Sequence, residues 1–305
     1  MPLAYEMLPM RGEPAALEGP IVILGAARSG TKMLRDVLAA HPSLTAVPHD
    51  INFVWKYGNY DLDHDELTPA QLTPDIARYI RSYLSTRLRR SGARHLVEKT
   101  VSKFLRVEFV KAVLPNCRLL HLIRDGRDVA ASARRMWRAP AEWSRLVQKL
   151  RLVPLRAIPR YGSRYIRSYW TRAASGGGGT TSWGPRFEGI DEAIRSHSLL
   201  ELCGLQWSTC VEATLTSLEG LPLEASFTIR YEELVRSPEE VLEGVFGFLG
   251  LDLSDEVRLH ARKAITPRHV GKSRHELTDS ELSELLLHIE RTLTRVGYST
   301  DGRGP

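Results

Sequence analysis

The chain has 305 residues, of which 43% are hydrophobic and 26% are charged, a composition typical of a folded globular protein rather than a disordered or fibrous one. No uninterrupted apolar run approaches the roughly 18 residues of a membrane span, and the charged N-terminus lacks the apolar core of a secretory signal. The formal net charge of +6 favours an anionic ligand or surface but is too small to indicate nucleic acid as a partner. We therefore predict a cytoplasmic protein, with contact to a membrane surface as an open alternative.

Apolar runs alternate with helical spacings along the chain, the pattern of a mainly parallel sheet with helices on both faces. The apolar runs predict strands at Ile21–Leu24, His95–Glu98, Arg118–Ile123 and 226–231. Helical spacing and helix-start signals predict helices from Met33 to Pro42, within 68–90, over 126–137, from Ser237 to Gly250 with a capping-box Glu240, and from Thr278 with Glu281 to near Val296. These elements predict a three-layer α/β fold in which helices flank a central sheet.

The segment 138–195 interrupts this alternation. Between Arg138 and Arg172 it carries nine basic residues against one acidic residue, Glu142, with five aromatic residues among them, and four glycines follow at 176–179. We predict a basic helical insertion that covers one end of the sheet as a mobile lid, with a solvated helical face as the alternative. The chain 1–305 is then predicted to be a single domain with its core at about 20–298.

The cysteines give no sign of a disulfide or metal framework. Cys117, Cys203 and Cys210 are too few for a disulfide scaffold, and no Cys or His spacing is typical of a metal site. We expect them to be buried apolar side chains in a reducing compartment, and we predict no metal cofactor.

The segment 21–32 runs from a buried strand through a turn of small residues directly into a helix. This geometry points backbone N–H groups and the positive end of the helix at one spot, where an anion is stabilised. Four side chains add hydrogen-bond donors to that spot: Arg28, Ser29, Thr31 and Lys32. We therefore predict an anion site in this turn, with an ordinary turn of solvated polar residues as the alternative.

Gly25 and Gly30 have the glycine spacing of a P-loop, the phosphate-binding loop of nucleoside-triphosphatases. In those proteins a Lys precedes the Ser or Thr that holds Mg²⁺, whereas here Thr31 precedes Lys32. The reversed order disfavours a P-loop NTP-dependent kinase. The kinase stays an alternative because Asp125, at the end of a predicted strand, could hold a metal ion.

Two segments in the first half of the chain resemble sulfotransferases. Residues 25–31 resemble the 5′-phosphosulfate-binding loop in the Arg-Ser-Gly-Thr form of tyrosylprotein and bacterial members, and 119–132 resemble the strand and helix that bind the 3′-phosphate of 3′-phosphoadenosine 5′-phosphosulfate (PAPS). In the family an Arg that ends the strand and a Ser eight residues later grip this phosphate, and Arg124 and Ser132 have this spacing. The resemblance implies that the 5′-phosphosulfate is bound by Arg28, Ser29, Gly30, Thr31 and Lys32.

Two segments in the second half extend the resemblance. Residues 230–239 are similar to the family's Tyr-Glu-Asp-Leu segment, whose Tyr, here Tyr231, lies beside the adenine. Residues 269–272 resemble the C-terminal loop that closes over the nucleotide, with Gly271 in the loop and Lys272 near the 3′-phosphate. Together the four segments identify the chain as a member of the PAPS-dependent sulfotransferases. Membership implies a P-loop-like α/β fold, PAPS as co-substrate and no metal.

The resemblance implies in-line transfer of a sulfuryl group from PAPS to a hydroxyl or amine of an acceptor, a reaction in which the protein positions groups and stabilises charge. A cation must then lie at the bridging oxygen of the leaving group. Arg28 and Lys99 are the candidates, and Lys32 could share the role. Lys99 is included because 97–100 resemble the family's Lys-Thr segment at a strand end, although a solvated strand-end lysine is the alternative.

A general base is expected within 47–53, because a Glu or His follows the first helix in the related enzymes. No Glu is present there, so the candidates are Asp50 and His49. We favour Asp50 narrowly because it keeps a carboxylate, whereas a histidine has the advantage of titrating near neutrality. Successive side chains of an extended segment point to opposite sides, so we expect only one of the two to face the acceptor.

The acceptor is the least defined partner. Aromatic rings of the insertion could stack on sugars while its arginines meet an anionic glycan, or the same face could rest on an anionic membrane that carries a lipid acceptor. We predict a hydroxyl-bearing acceptor, a carbohydrate or glycolipid, with the insertion on the acceptor side. A protein that binds the nucleotide without turnover is the non-enzymatic alternative, and the base candidates argue against it.

Overall fold

The computed structural model describes residues 17–139 and 183–300. The glycine run and the aromatic residues of the predicted basic insertion lie outside these described residues. No helix within the two described ranges is long and apolar enough to span a bilayer.

Five strands form one sheet in which every pairing is parallel. The strands are β1 (Ile21–Leu24), β2 (Leu44–Ala46), β3 (His95–Glu98), β4 (Arg118–Ile123) and β5 (Ser226–Arg230). Their order across the sheet is β2-β3-β1-β4-β5, so β1 lies in the centre. The predicted parallel α/β fold is therefore confirmed for the described part of the chain.

Helices connect the strands, as parallel pairing requires. In chain order they are α1 (Thr31–Leu38), α2 (Asn52–Trp55), α3 (Pro74–Ser91), α4 (Val107–Val113), α5 (Gly126–Arg138), α6 (Ile190–Ser196), α7 (Leu199–Glu219), α8 (Tyr231–Arg236), α9 (Pro238–Leu249), α10 (Asp255–Ala264), α11 (Ser273–Glu276) and α12 (Asp279–Arg295). Short 3-10 turns lie at Pro69–Gln71, Val101–Arg106, Leu223–Ala225 and Pro267–His269.

Alternate strand residues point to opposite faces of the sheet and build two hydrophobic cores. Val22 and Leu24 of β1 belong to the core formed with α3, α4, α5, α7 and α12. Ile21 and Ile23 belong to the core formed with α1, α8, α9 and α10. The sheet is thus the middle of three layers, and the three cysteines are buried and free, as predicted.

Most predicted strand bounds are confirmed, whereas several elements were not predicted, among them β2 and the helices α2, α4, α7, α10 and α11. The predicted strand 226–231 ends one residue early because Tyr231 already begins α8, and α1 stops at Leu38, well before Pro42. The longest of these elements is α7, which packs between α5 and α12. The helix α7 is buried at positions all around its axis, so no polar face marks it as amphipathic.

The helix-start predictions differ in outcome. The capping box predicted at Ser237 is wrong: its amide closes α8 by donating to the Glu233 carbonyl at 2.8 Å, and its side chain makes no cap bond. Ser237 nevertheless occupies the predicted N-cap position before Pro238: because α8 runs almost directly into α9, its amide closes α8 while its carbonyl accepts from the Val241 amide of α9 at 3.1 Å. Thr278 and Glu281 do form the predicted capping box of α12, and Gly250 ends α9 with a φ of 63°.

Candidate active site

The candidate site lies at the carboxyl edge of the sheet, where β3, β1 and β4 end side by side. The turn 25–30 follows β1, Lys99 follows β3, and Arg124 follows β4. Ligands of open parallel sheets bind at this edge. The strand order therefore brings together three segments that are far apart in the sequence.

The turn after β1 has a backbone that is open to a ligand. Gly30 has a φ of 92°, and a Cβ atom there would lie 2.7 Å from the ring of Tyr231, so conformation and close packing both require glycine. Arg28 has a φ of 77°, the sole positive value at a non-glycine among the described residues, and such strain is common at binding sites. The hydrogen-bond ladder of α1 starts with the Leu34 amide on the Gly30 carbonyl at 3.0 Å, which leaves the preceding amides to a ligand.

Arg28 and Ser132, which the resemblance assigns to opposite ends of one nucleotide, are in direct contact. The Arg28 Nε donates to the Ser132 Oγ at 3.0 Å. Burial and the positive charges of Arg124 and Arg135 lower the pKa of Arg28 below its ordinary value. The turn after β1 and the middle of α5 therefore share one patch of positive potential.

Arg124 joins three of the four segments that were singled out in the sequence. Its Nη1 donates to the Arg28 carbonyl at 3.0 Å, its Nη2 donates to the His269 carbonyl, and its guanidinium lies over the Tyr231 ring at 4.3 Å. It also forms an ion pair with Asp128, with its Nη2 3.3 Å from a carboxylate oxygen. The arginine thus ties β4 to α8 and to the loop that begins near His269.

Two polar atoms at this patch are buried and unused. The Ser29 Oγ and the Arg124 Nε have no hydrogen-bond partner among the residues that the structure describes. Buried donors without a partner cost free energy, so an oxyanion that accepts from them would be stabilised. A phosphate or sulfate group fits the donors that this site presents.

The loop 269–273 is held onto α5 by Asp128, a residue that the sequence analysis did not single out. The Asp128 carboxylate accepts from the Gly271 amide and from the Ser273 amide, each at 2.8 Å. Between them, the Lys272 carbonyl accepts from the His275 amide at 3.0 Å, whereas the Lys272 ammonium forms no hydrogen bond or ion pair with a described residue. Asp128, in the first turn of α5, follows Arg124 by four residues, and this spacing was the signal that could have found it.

The residues around His269 show that the electrostatic potential beneath this loop is positive. Partial burial and the positive charges of Lys272, Arg124 and Arg28 lower the pKa of His269 below its usual value. A histidine surrounded by cations marks a place where negative charge is favoured.

Unlike the other polar residues of the turn, Lys32 has a side chain that is paired along α1. Its Nζ pairs with Asp36 one helical turn further on at 2.8 Å, and 76% of its side chain is exposed. Its suggested role at the bridging oxygen therefore remains a prediction without a supporting contact.

The proposed base and the proposed strand-end cation form an ion pair. The Lys99 Nζ lies 2.6 Å from an Asp50 carboxylate oxygen, and the exposed fractions of the two side chains are 9% and 39%. A buried ammonium beside a half-exposed carboxylate suits a site rim, because the carboxylate stays accessible to an incoming group. This pairing argues against the alternative of a solvated strand-end lysine.

His49, the second base candidate, makes no hydrogen bond with a described residue. Burial, Arg35 and Arg87 lower the pKa of His49, which keeps its imidazole neutral at neutral pH. The Arg35 Nη1 donates to the Pro48 carbonyl at 2.7 Å and so fixes the backbone just before it. His49 therefore stays a chemically competent alternative to Asp50.

Asp125, on which the kinase alternative depends, is engaged by Arg127. One of its oxygens accepts from the Arg127 amide at 2.9 Å as the cap of α5, and the other pairs with the Arg127 guanidinium at 2.7 Å. Within residues 17–139 and 183–300, no group of three or more His, Cys, Asp or Glu side chains is arranged to hold a metal ion. The structure therefore gives the kinase alternative no support at Asp125.

The fold and the site define the class of protein to which the chain belongs. A family model described as "Sulfotransferase family" matches residues 20–176, slightly more than half of the chain. The matched region contains the turn after β1, the pair of Lys99 with Asp50, and the Arg124 and Ser132 of β4 and α5. The chain belongs to the sulfotransferase family.

A sequence relative gives no further activity. A protein of Aquifex aeolicus (strain VF5) that is described as uncharacterized is 29% identical over 142 residues, which make up 43% of this chain and 18% of that protein. The chain thus spans less than a fifth of the length of this curated relative.

Solved structures share the fold. The sulfotransferase domain from the curacin biosynthetic pathway has a TM-score of 0.55 at 18% identity, with 93% of this chain and 99% of that chain covered. The sulfotransferase STF9 from Mycobacterium avium has a TM-score of 0.54 at 16% identity, with 95% and 79% covered. The sulfotransferase domain from the Synechococcus PCC 7002 olefin synthase has a TM-score of 0.51 at 17% identity, with 92% and 97% covered. At these identities the likeness concerns the fold alone.

Proposed function

We propose that the chain transfers a sulfuryl group from PAPS to a hydroxyl of an acceptor. The observation that carries this proposal is the contact between Arg28 and Ser132, which brings the turn after β1 and the middle of α5 together in one positive patch. A nucleotide with anionic groups at two ends needs two anion-binding sites at a fixed separation. When bound, PAPS supplies an activated sulfuryl group on a phosphate that leaves.

The turn after β1 is proposed to hold the 5′ end of the nucleotide. The free amides at the start of α1 and the unpartnered Ser29 hydroxyl donate hydrogen bonds to an oxyanion there, with Gly30 and Thr31 in the same turn. Arg28 lies at the inner edge of the turn, where its charge stabilises the negative charge that develops on the leaving oxygen.

The 3′-phosphate is proposed to lie between α5 and the loop 269–273. Arg124 offers its unused Nε, Ser132 offers its hydroxyl, and Lys272 offers an ammonium without a partner among the described residues. The Gly271 backbone keeps the loop close to α5, and the Tyr231 ring, already under the Arg124 guanidinium, is available to the adenine.

Asp50 is proposed to take the proton of the acceptor hydroxyl, and Lys99 to stabilise charge at the bridging oxygen. The 2.6 Å contact between them supports both roles, because it puts a base and a cation at adjacent positions on the rim. His49 is the alternative base, and its lowered pKa leaves it able to accept a proton. The acceptor itself is proposed to be a carbohydrate or a glycolipid because of the basic and aromatic composition of residues 138–172.

Ligand-induced stabilisation tests the donor. Adenosine 3′,5′-bisphosphate at 100 times its dissociation constant is expected to raise the free energy of unfolding by about 2.7 kcal/mol, without Mg²⁺. ATP with Mg²⁺ serves as the comparison, and the Lys263→Ala variant, at an exposed position of α10, serves as a matched control for loss of one positive charge outside the site. Stabilisation by ATP with Mg²⁺ alone would contradict the proposal and favour the kinase. Binding of the bisphosphate with no transfer to any hydroxyl compound would favour the non-catalytic alternative.

A further inference from the structure

The two residues that follow β3 hold two neighbouring residues of the segment after β2. The Lys99 side chain pairs with Asp50 at 2.6 Å, and the Thr100 Oγ1 accepts from the Ile51 amide at 3.0 Å. Side chains alternate along an extended segment, so Lys99 faces the site while Thr100 faces the buried side. Asp50 is therefore fixed both at its carboxylate and through the backbone of the next residue.

The Thr100 hydroxyl is itself oriented by a buried carboxylate. It donates to the Glu98 Oε1 at 2.6 Å, and Glu98 is fully buried. A hydroxyl has a single proton, so donation to Glu98 directs its lone pairs at the Ile51 N–H. The direction of the bond to the base-bearing segment is thus set by Glu98.

The buried charge of Glu98 is balanced from within the same segment. Lys103, also fully buried, pairs with the other Glu98 carboxylate oxygen and donates to the Glu98 carbonyl at 3.1 Å. Burial lowers the pKa of Lys103 well below its ordinary value. A buried pair of this kind is a poor source of stability but fixes geometry, because every alternative arrangement leaves a charge without a partner. This relay, the series of contacts that runs from Lys103 through Glu98 and Thr100 to the Ile51 amide, is accordingly rigid.

We propose that Thr100 is a positioning residue that aligns Asp50 with Lys99. The hydrogen bond from the Ile51 amide to the Thr100 hydroxyl, and the bond from that hydroxyl to Glu98, fix the position of the backbone beside Asp50 relative to the sheet. The ion pair between Asp50 and Lys99 forms only in that position. As a statement about catalysis the proposal rests on the proposed function, in which Asp50 is the base. As a statement about alignment it can be tested without turnover.

Chemical reactivity of Lys99 reports the alignment. An amine that donates to a carboxylate in a buried position reacts slowly with an acylating reagent. We expect acetylation of Lys99 by an N-hydroxysuccinimide ester, quantified by peptide mass spectrometry, to be about tenfold faster in Thr100→Val, because loss of a charge-assisted hydrogen bond has an effect of at least this size. Asp50→Asn defines the rate when the ion pair is absent, and Lys32, exposed and paired on α1, is the internal reference in every sample.

Conservative replacement separates positioning from a general packing role. Thr100→Ser keeps the hydroxyl and is expected to acetylate at the wild-type rate, whereas Thr100→Val keeps the shape and loses the relay. Should Thr100→Val not fold, Thr100→Ala takes its place, because it leaves room for a water molecule. An unchanged Lys99 rate in the folded Val or Ala variant, or an equal increase in Thr100→Ser, would overturn the proposal.

Binding of adenosine 3′,5′-bisphosphate keeps the two proposals apart. The Thr100 hydroxyl is buried and forms its hydrogen bonds with Ile51 and Glu98, neither of which is proposed to hold the nucleotide, so Thr100→Val is expected to bind the bisphosphate with the wild-type dissociation constant. Failure of the wild-type protein to bind the bisphosphate would contradict the proposed function. The proposed alignment of Asp50 with Lys99 would then be tested by the acetylation rate of Lys99 alone. A loss of binding in Thr100→Val that Thr100→Ser does not share would show that the relay serves the nucleotide site, contrary to our proposal.

Discussion

His121 offers a quantitative test of how the core of this protein responds to pH. It lies in β4, and both of its ring nitrogens are buried without a hydrogen-bond partner among the described residues. Burial lowers the pKa of His121 from an ordinary 6.5 to about 4. Between these pH values the unfolded chain binds a proton at this side chain and the folded chain does not. The free energy of unfolding must therefore fall as the pH falls through this window.

The size of the effect follows from the pKa difference. The window spans about 2.5 pH units, and each unit corresponds to about 1.4 kcal/mol, so His121 removes about 3 kcal/mol of stability between neutral pH and pH 4. This is a substantial part of the roughly 5–15 kcal/mol that stabilises a typical protein. A leucine at this position has a similar size, carries no charge and leaves no ring nitrogen unpaired.

Urea unfolding of His121→Leu and the wild-type protein at about pH 7.5, 6 and 5 measures the effect. We expect the variant to be the more stable protein below about pH 6.5, by a margin that grows by about 1.4 kcal/mol for each further pH unit. Other titrating groups are common to both proteins and cancel in the difference, and His260→Leu, at an exposed position, controls for the loss of a histidine. A difference that stays constant with pH would refute the reasoning.

Three further predictions concern the site. Arg124→Ala should weaken binding of adenosine 3′,5′-bisphosphate about ten- to a hundredfold by calorimetry, the size expected for lost hydrogen bonds to a charged group, while the exposed Lys263→Ala control binds as the wild type does. Gly30→Ala should lower the free energy of unfolding by about 1–3 kcal/mol in urea, because its φ of 92° disfavours a side chain; an unchanged value would contradict the close packing described here. Asp50→Asn should bind the bisphosphate normally but lower the sulfation rate about 10²–10⁴-fold, and a rate lowered in His49→Gln instead would move the base to His49.

The sequence predicts those parts of the fold in which local pattern and buried position agree. Runs of apolar residues marked β1 and most of β4, because strands buried on both faces carry no polar alternation, and the pair Leu96 and Val97 marked β3. The strand β2 has only three residues, Leu44–Ala46, too few for any period to be visible. The helix α7 is long, but its burial on several sides removes the amphipathic signal. In both cases tertiary packing, which a local window does not contain, decides the structure.

The geometry of the site could be predicted from the sequence even less than the fold could, because it depends on the order of the strands in the sheet. Asp50 and Lys99 are separated by 49 residues, and their spacing contains nothing that would bring them together. They meet because β2 and β3 are parallel neighbours with Ala46 opposite Val97. Lys99 follows Val97 by two residues, and Asp50 follows Ala46 by four. Both side chains therefore lie just beyond the adjacent carboxyl ends of β2 and β3. The residue types were available from the sequence, whereas their contact is a consequence of the β2-β3-β1-β4 order. A substitution that shifted the register of β2 against β3 would therefore separate the base, Asp50, from the cation, Lys99, without changing either residue.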